Sequence, residues 1–321
     1  MNHDGSFGNA LRLTDAAAEC GADAVKFQCH IAEAETTPNA PNPPYFKSES
    51  RYRYFERTAF TPEQWVELIA YCRTKKIEFL CSPFSEEAVE LLEKIGVERY
   101  KIPSGEVTNL PLLERIARTR KPVLLSSGMS TWAELDKAAA VFQKASSPLT
   151  LLQCTSEYPC PYDRVGLNVM LEMTGRYRVP VGLSDHTLSN YASFAAVTLG
   201  AVVIEKHMTF SRRMFGSDAK HSLEPAEFRD LVQGIRAIDV ILQSAVNKDN
   251  VDSLQEMKQV FQKSVVAAVD IAAGTKITPT MVAVKKPGTG IPAARIHEVV
   301  GRTTGRFVQK DTLLLETDLA S

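Results

Sequence analysis

The sequence predicts an α/β protein: a (β/α)8 TIM barrel whose first strand is missing, followed by a small β-rich domain. Three observations predict it. Seven short apolar runs alternate with helix-like runs over residues 23–243, and strict βα alternation implies a parallel sheet. Nearly every apolar run ends in polar residues, as at Lys26-Phe27-Gln28, Ser82, Ser126-Ser127-Gly128, Thr155-Ser156 and Ser184-Asp185-His186. An open doubly wound sheet is the alternative; polar groups at so many strand ends favour a barrel, whose loops converge on one mouth. Beyond residue 260 the pattern turns to short β-type runs broken by Gly274, Pro279, Pro287, Gly288, Gly290, Gly301 and Gly305.

The chain opens on turn chemistry, Asn2-His3-Asp4-Gly5, with no strand before it. The eighth strand of a barrel belongs just before Asn2, so Met1 is expected to lie inside a longer reading frame. Leu11 to Cys20 reads as a helix ending at Gly21. Asp23 to Gln28 reads as a strand, with Lys26 and Gln28 on one face because side chains alternate. Cys29 to Phe60 reads as irregular, with Pro41, Pro43, Pro44 and the run Arg51-Tyr52-Arg53-Tyr54-Phe55. Stretches that long inside a compact domain are functional or disordered. The aromatics argue against disorder, which leaves a lid or a subunit contact. Thr61-Pro62-Glu63-Gln64 is a capping box that opens a helix to about Lys75.

Strands then follow at Ile77–Ser82, Tyr100–Pro103, Pro122–Ser126, Leu149–Cys154, Val179–Leu183 and Val202–Glu205. The intervening helices are Glu86–Ile95, Leu110–Arg118, a run opened by the capping box Thr131-Trp132-Ala133-Glu134, Val165–Thr174 and Tyr191–Leu199; Pro225–Gln243 closes the series. The barrel domain is thus residues 1–243, a polar linker 244–260, and the β-rich domain 261–321. Ala273-Gly274-Thr275-Lys276-Ile277-Thr278 and Gln309-Lys310-Asp311-Thr312-Leu313-Leu314 read as an internal repeat.

Composition narrows the function. The 321 residues are 44% hydrophobic and 23% charged, with net charge −1. Such a chain is expected to be soluble, with no general attraction to nucleic acid or an anionic membrane. No apolar run approaches the roughly 20 residues of a membrane span. The six cysteines form no C-x-x-C pair, which predicts buried, reduced thiols in a cytoplasmic protein.

Chemistry concentrates at the strand ends. In Tyr100-Lys101-Ile102-Pro103-Ser104-Gly105-Glu106 a cation, a hydroxyl, a glycine and a carboxylate crowd one strand's C-terminal end. His186 and His207 end consecutive strands, and adjacent strands lie about 4.8 Å apart. Each histidine alone is ordinarily structural; as a pair at one mouth they match a divalent metal site with open positions for substrate. Lys26 and Lys101, with Ser82, Ser104, Ser126 and Ser184, supply cations and hydroxyls suited to a phosphorylated substrate. A single serine at such a place is ordinarily a cap or turn former. There is no P-loop and no G-x-G-x-x-G, which argues against a nucleotide.

Seven motifs in order carry a resemblance: Asn2-His3-Asp4-Gly5, Val25-Lys26-Phe27-Gln28, Lys101-Ile102-Pro103-Ser104-Gly105-Glu106, Ser126-Ser127-Gly128-Met129-Ser130, Cys154-Thr155-Ser156-Glu157-Tyr158-Pro159, Ser184-Asp185-His186-Thr187 and Glu205-Lys206-His207. Together they resemble the sialic acid synthase family, the N-acetylneuraminate synthases with their legionaminate and pseudaminate relatives. Residues 261–321 are similar to that family's C-terminal antifreeze-like (SAF) domain.

The resemblance implies condensation of phosphoenolpyruvate with an open-chain N-acylated amino-hexose, assisted by Mn2+ or Mg2+. It implies His186 and His207 as metal ligands. Lys26, Ser82, Lys101, Ser104, Ser126 and Ser184 are implied for phosphoenolpyruvate, with Ser156 beside them where some members have Asn. Gln28, Glu106, Tyr158 and Asp218 are implied to face the sugar and the reacting carbons, Glu106 as proton relay or as hydroxyl binder. Lys286 stands where the family has an Arg that reaches the partner subunit's sugar site, so a homodimer with exchanged C-terminal domains is also implied. Two other readings compete. One is a condensing barrel of the 3-deoxy-octulosonate phosphate type, which has no use for the C-terminal domain. The other is a non-catalytic binding protein, since the family's first strand is absent.

Overall fold

A computed structural model describes residues 1–44, 46 and 48–320. The chain divides into two compact units, Met1–Ser244 and Ala245–Ser321. The first holds a seven-stranded parallel sheet in sequential order β1 to β7. The strands are β1 (Ala24–Cys29), β2 (Glu78–Pro83), β3 (Tyr100–Ile102), β4 (Val123–Ser126), β5 (Leu149–Cys154), β6 (Val181–Asp185) and β7 (Ile204–Lys206). Sequential parallel order with a helix in each crossover is the barrel wind.

The period-2 alternation sorts each strand into two faces. Phe27, Phe79, Cys81, Tyr100, Ile102, Val123, Leu125, Leu151 and Leu183 pack outward into the main core against the helices. Leu80, Leu124 and Leu152 form a separate inner cluster with Ala24 and Val203. Gly182 belongs to this inner face, and a Cβ there would lie 2.8 Å from Leu152 and clash with the Val203 carbonyl. Above the apolar layer, the next inward residue of each strand is polar. That parity puts the chemistry at the C-terminal mouth.

The sheet is not closed. Among the described residues, β1 pairs only with β2 and β7 only with β6. Along this seam runs a cavity of about 840 Å3, walled by apolar side chains that include Leu13, Val25, Leu80, Val203, Phe228 and Leu231. Buried polar atoms at its upper end, Asn2 Oδ1 and His3 Nε2, have no hydrogen-bond partner. His3 is held neutral, pushed down to about 3 by burial first and then by nearby positive charge.

Two stretches depart from the sequence reading. The region 29–60 is not wholly irregular: it contains α2 (Ala32–Glu35) and α3 (Arg51–Thr58). Ser50 caps α3 by accepting from the Arg53 amide, and Tyr54, Phe55 and Thr58 turn inward at helical spacing. Residues 252–261, read as part of a linker, form a 3-10 turn and α11 (Gln255–Phe261). All six cysteines are buried and free. Among the described residues no helix is long and apolar enough to cross a membrane.

The second unit has its own core of Val265, Ala267, Ile271, Ile277, Ile291, Leu314 and neighbours. Its ladder is an antiparallel pair, β8 (Ser264–Ala267) and β9 (Val282–Lys285). The internal repeat is visible in the backbone. Gly274 and Asp311 both take left-handed φ, at 76° and 63°. Three residues on, Ile277 and Leu314 are buried, and each copy then enters a 3-10 turn, Pro279–Met281 or Glu316–Asp318.

Candidate active site at the barrel mouth

The mouth is organised around a carboxylate. Glu205 on β7 accepts from Lys26 Nζ on β1 at 3.0 Å and from Ser184 on β6 at 3.0 Å, both through Oε1. Its Oε2 lies 3.6 Å from Lys101 Nζ on β3. Glu205 and Ser184 are ladder partners, so their side chains share the inner face. Lys101 also donates to Ser126 Oγ at 2.8 Å and to the Ile102 carbonyl at 3.1 Å. Burial lowers its pKa to about 8, with the Glu205 charge acting the other way. Burial raises Glu205, but Lys101 and Lys26 outweigh it and hold the carboxyl ionised far below its ordinary range. Two cations around one anion leave local positive charge at the rim, which suits an anionic ligand.

Hydroxyls complete this wall. A Cβ on Gly128 would lie 2.7 Å from Ser104 Oγ and 3.2 Å from Cys154 Sγ, and would collide with Ser156 Oγ. Glycine is required there so that three polar side chains converge above the β4 turn. Ser82, beside Gln28 in the ladder, is fully buried, and its hydroxyl has no hydrogen-bond partner. Lys26, Lys101, Ser104, Ser126, Ser156 and Ser184 line one cavity of about 440 Å3.

Gln28, Tyr158, His186, His207 and Asp218 line the same cavity. The two imidazole centroids are 5.5 Å apart. Tyr158 covers His186 at 4.2 Å and lies 6.2 Å from His207. His186 Nδ1 donates to the Thr155 carbonyl at 2.9 Å, which turns Nε2 toward the mouth. Burial opposes charge on His186, but the Cys154 thiol beside it raises the pKa overall. Desolvation drives His207 the other way, to about 3, and keeps it neutral. Asp218 contacts the Met1 amino group at 2.5 Å and the Ser217 hydroxyl at 3.0 Å.

The donor set fits a two-histidine site. Both rings face one cavity, one with its tautomer fixed and the other held neutral. Among the described residues no third His, Cys, Asp or Glu joins them in a metal-holding cluster, so other ligands would come from water and substrate.

The loop bearing His186 is pinned from below. Lys206 Nζ donates to Asp185 Oδ2 at 2.7 Å, to the Thr187 carbonyl at 2.7 Å and to the Ser189 carbonyl at 2.9 Å. Asp185 also accepts from Ser193 Oγ at 2.7 Å and from the Thr187 amide at 2.8 Å. Both charged side chains are at most 2% exposed. Breaking a buried pair leaves an uncompensated charge and costs about 3–5 kcal/mol. Asp185→Asn is therefore expected to lower unfolding free energy by about 3 kcal/mol in urea titration; an unchanged midpoint would show that the other acceptors hold Lys206 alone.

The remaining expected residues are placed differently. Glu106 sits on a 3-10 turn after β3, its Oε2 accepting from Asn109 at 2.8 Å. Burial raises its pKa, which suits a proton holder. Lys286 belongs to the second unit, where its ammonium lies 4.9 Å over the Phe261 ring. Glu205 and His30 line the mouth but were not singled out from sequence.

Comparison with known proteins agrees with this geometry. The NeuB family model matches residues 13–247 and the SAF domain model residues 262–320. The chain belongs to the NeuB family. It is 37% identical to the N,N'-diacetyllegionaminic acid synthase of Campylobacter jejuni, over 98% of this chain and 97% of that protein. It is 31% identical to the pseudaminic acid synthase of Helicobacter pylori, over 99% and 95% of the two chains. A crystal structure of the N-acetylneuraminic acid (sialic acid) synthetase of Leptospira borgpetersenii serovar Hardjo-bovis, in complex with citrate, superposes with TM-score 0.70 at 32% identity, covering 80% of this chain and 86% of that one.

Proposed function

We propose that this NeuB family protein condenses phosphoenolpyruvate with an open-chain N-acylated amino-hexose, either N-acetylmannosamine or a 6-deoxy-diamino-hexose, giving a nonulosonic acid and phosphate. The observation that carries the reading is the convergence of Lys26, Lys101 and the mouth serines beside His186 and His207 in one cavity. Relatives named as legionaminic and pseudaminic acid synthases support it.

Lys26 and Lys101 neutralise the phosphate and carboxylate, so an anionic enol can approach its acceptor. Ser104, Ser126, Ser156 and Ser184 donate to the same oxygens. His186 and His207 would hold a divalent cation, Mn2+ or Mg2+, which would supply Lewis acidity toward the acceptor aldehyde. The enol carbon bonds to the aldehyde carbon, whose oxygen takes a proton; water adds at the carbon bearing the phosphate, and phosphate leaves by cleavage of that C–O bond to give the ketone. Glu106 holds a proton for this sequence or binds a sugar hydroxyl. Gln28, Tyr158 and Asp218 orient the acceptor, and Lys286 serves a partner's site if the protein works as a domain-exchanged homodimer.

Purified protein with manganese, phosphoenolpyruvate and either hexose is expected to release phosphate only when both substrates are present. Absence of phosphate release with every such hexose would count against turnover and for the other reading, a binding protein.

A further inference from the structure

His30 is the most tightly held ring at the mouth, and the proposed reaction gives it no role. Phe55 stacks on one face at 3.9 Å and 7°, and Phe84 on the other at 4.1 Å and 22°. The imidazole is 4% exposed and cannot swing out. Its Nδ1 lies 2.7 Å from Glu35 Oε1, and its Nε2 lies 3.4 Å from Gln28 Oε1. Glu35 is 5% exposed, and its second oxygen has no hydrogen-bond partner.

Two patterns with a neutral ring satisfy these contacts; an imidazolium would also donate from both nitrogens, but a charge on a ring 4% exposed between two phenyl rings is disfavoured by desolvation. With Glu35 ionised, Nδ1–H donates to the carboxylate and Nε2 is a bare acceptor. Gln28 would then have to present its amide N–H2 to the ring and its carbonyl to the mouth. With Glu35 protonated, its O–H donates to Nδ1 and the ring proton sits on Nε2. Nε2–H then donates to Gln28 Oε1, and the Gln28 amino group faces the mouth. The amide oxygen of Gln28 lies 3.4 Å from Nε2, the orientation that the second pattern requires. The orphaned Glu35 oxygen agrees, because a neutral acid tolerates one unmet acceptor far better than a buried carboxylate does.

We propose that Glu35 and His30 form a neutral, hydrogen-bonded pair that fixes the Gln28 amide with its amino group toward the mouth, making Gln28 a donor to an oxygen of the acceptor substrate. Burial supports this by pushing Glu35 up to about 8, with Arg51 acting in the opposite direction. Burial first, then the positive charges of Met1 and Arg51, drives His30 well below its ordinary value against the pull of Asp218. Glu35 and His30 are positioning residues, acting through Gln28. The assignment of a donor toward the sugar rests on the proposed synthase reading; the proton pattern does not.

Two measurements test it. In 15N-labelled wild-type protein at pH 7, the His30 resonances should show a protonated Nε2 and an unprotonated Nδ1. The reverse tautomer, or an imidazolium, overturns the proposal whatever the activity. In kinetics, Glu35→Gln keeps a donor, its amide N–H, to the unprotonated Nδ1 and should leave acceptor KM within about twofold of wild type. Glu35→Leu removes that donor and should raise acceptor KM about tenfold, with kcat and phosphoenolpyruvate KM little changed. If the leucine variant does not fold, Glu35→Met takes its place. Equal acceptor KM in all variants, or equal loss in the glutamine and leucine variants, counts against the proposal. A wild type that releases no phosphate refutes the synthase reading, while the resonance experiment still decides the relay.

Discussion

Replacing Glu205 with glutamine should sharply weaken phosphoenolpyruvate use and lower the unfolding free energy by about 3–5 kcal/mol, the cost of removing one partner from a buried charge cluster. The side chain is nearly isosteric, so the effect isolates charge. In the wild type the two Glu205 oxygens stand 3.0 Å from Lys26 and 3.6 Å from Lys101. Lys101 is 1% exposed and has no water to replace that carboxylate. Burial already lowers Lys101 to about 8, and the Glu205 charge is what opposes further lowering. Without it, two ammonium groups face each other across the mouth, and Lys101 loses its proton near neutral pH. A neutral Lys101 no longer attracts phosphate, so phosphoenolpyruvate KM should rise at least 100-fold, about 2.8 kcal/mol at 1.4 per tenfold. Urea unfolding and initial rates of phosphate release check both parts. A variant with native stability and unchanged phosphoenolpyruvate KM would show that the lysines are solvated through the mouth and need no counter-ion.

Glu205 also shows where sequence reading stops. The strand containing Ile204-Glu205-Lys206 was legible, but period 2 alone does not say which charge faces inward. Register decides it: Glu205 sits beside Ser184 on the inner row, while Lys206 sits beside Asp185 and turns outward to pin the loop. Lys26, Lys101 and the serines were legible because each ends a strand whose apolar residues already fix the parity. His30 carried no local signal. Its environment is made by Phe55 and Phe84, distant in sequence and joined only by the fold. The helix carrying Phe55 was hidden by the prolines before it, whose turn chemistry masked the Ser50 cap. In the second unit, a glycine and an aspartate share one left-handed turn conformation, so the repeat survives a change of residue type.

Substituting His207 with alanine should remove manganese binding and reduce phosphate release by at least about 10^3-fold. The imidazole pair offers only two protein ligands, so losing one leaves a single nitrogen. One neutral imidazole in water holds a hard, oxygen-preferring cation weakly, and its remaining positions revert to water. The alternative role for His207 is packing. Tyr158 lies 6.2 Å from its ring and His186 5.5 Å, so a packing histidine would be replaced well by a flat ring of similar size. His207→Phe separates the roles: it preserves the apolar contact and offers no ligand. If His207 is a ligand, both variants lose manganese binding by calorimetry and by the electron resonance of bound Mn2+, and both lose activity. If it only packs, the phenylalanine variant binds manganese and turns over like wild type. Desolvation keeps His207 neutral, so the wild-type site needs no proton removed from that ring before binding. Any proton released on manganese binding should therefore come from His186, whose pKa the neighbouring thiol raises. Calorimetry in two buffers of different ionisation enthalpy would count such protons in the wild type, and the count should fall as the pH is raised.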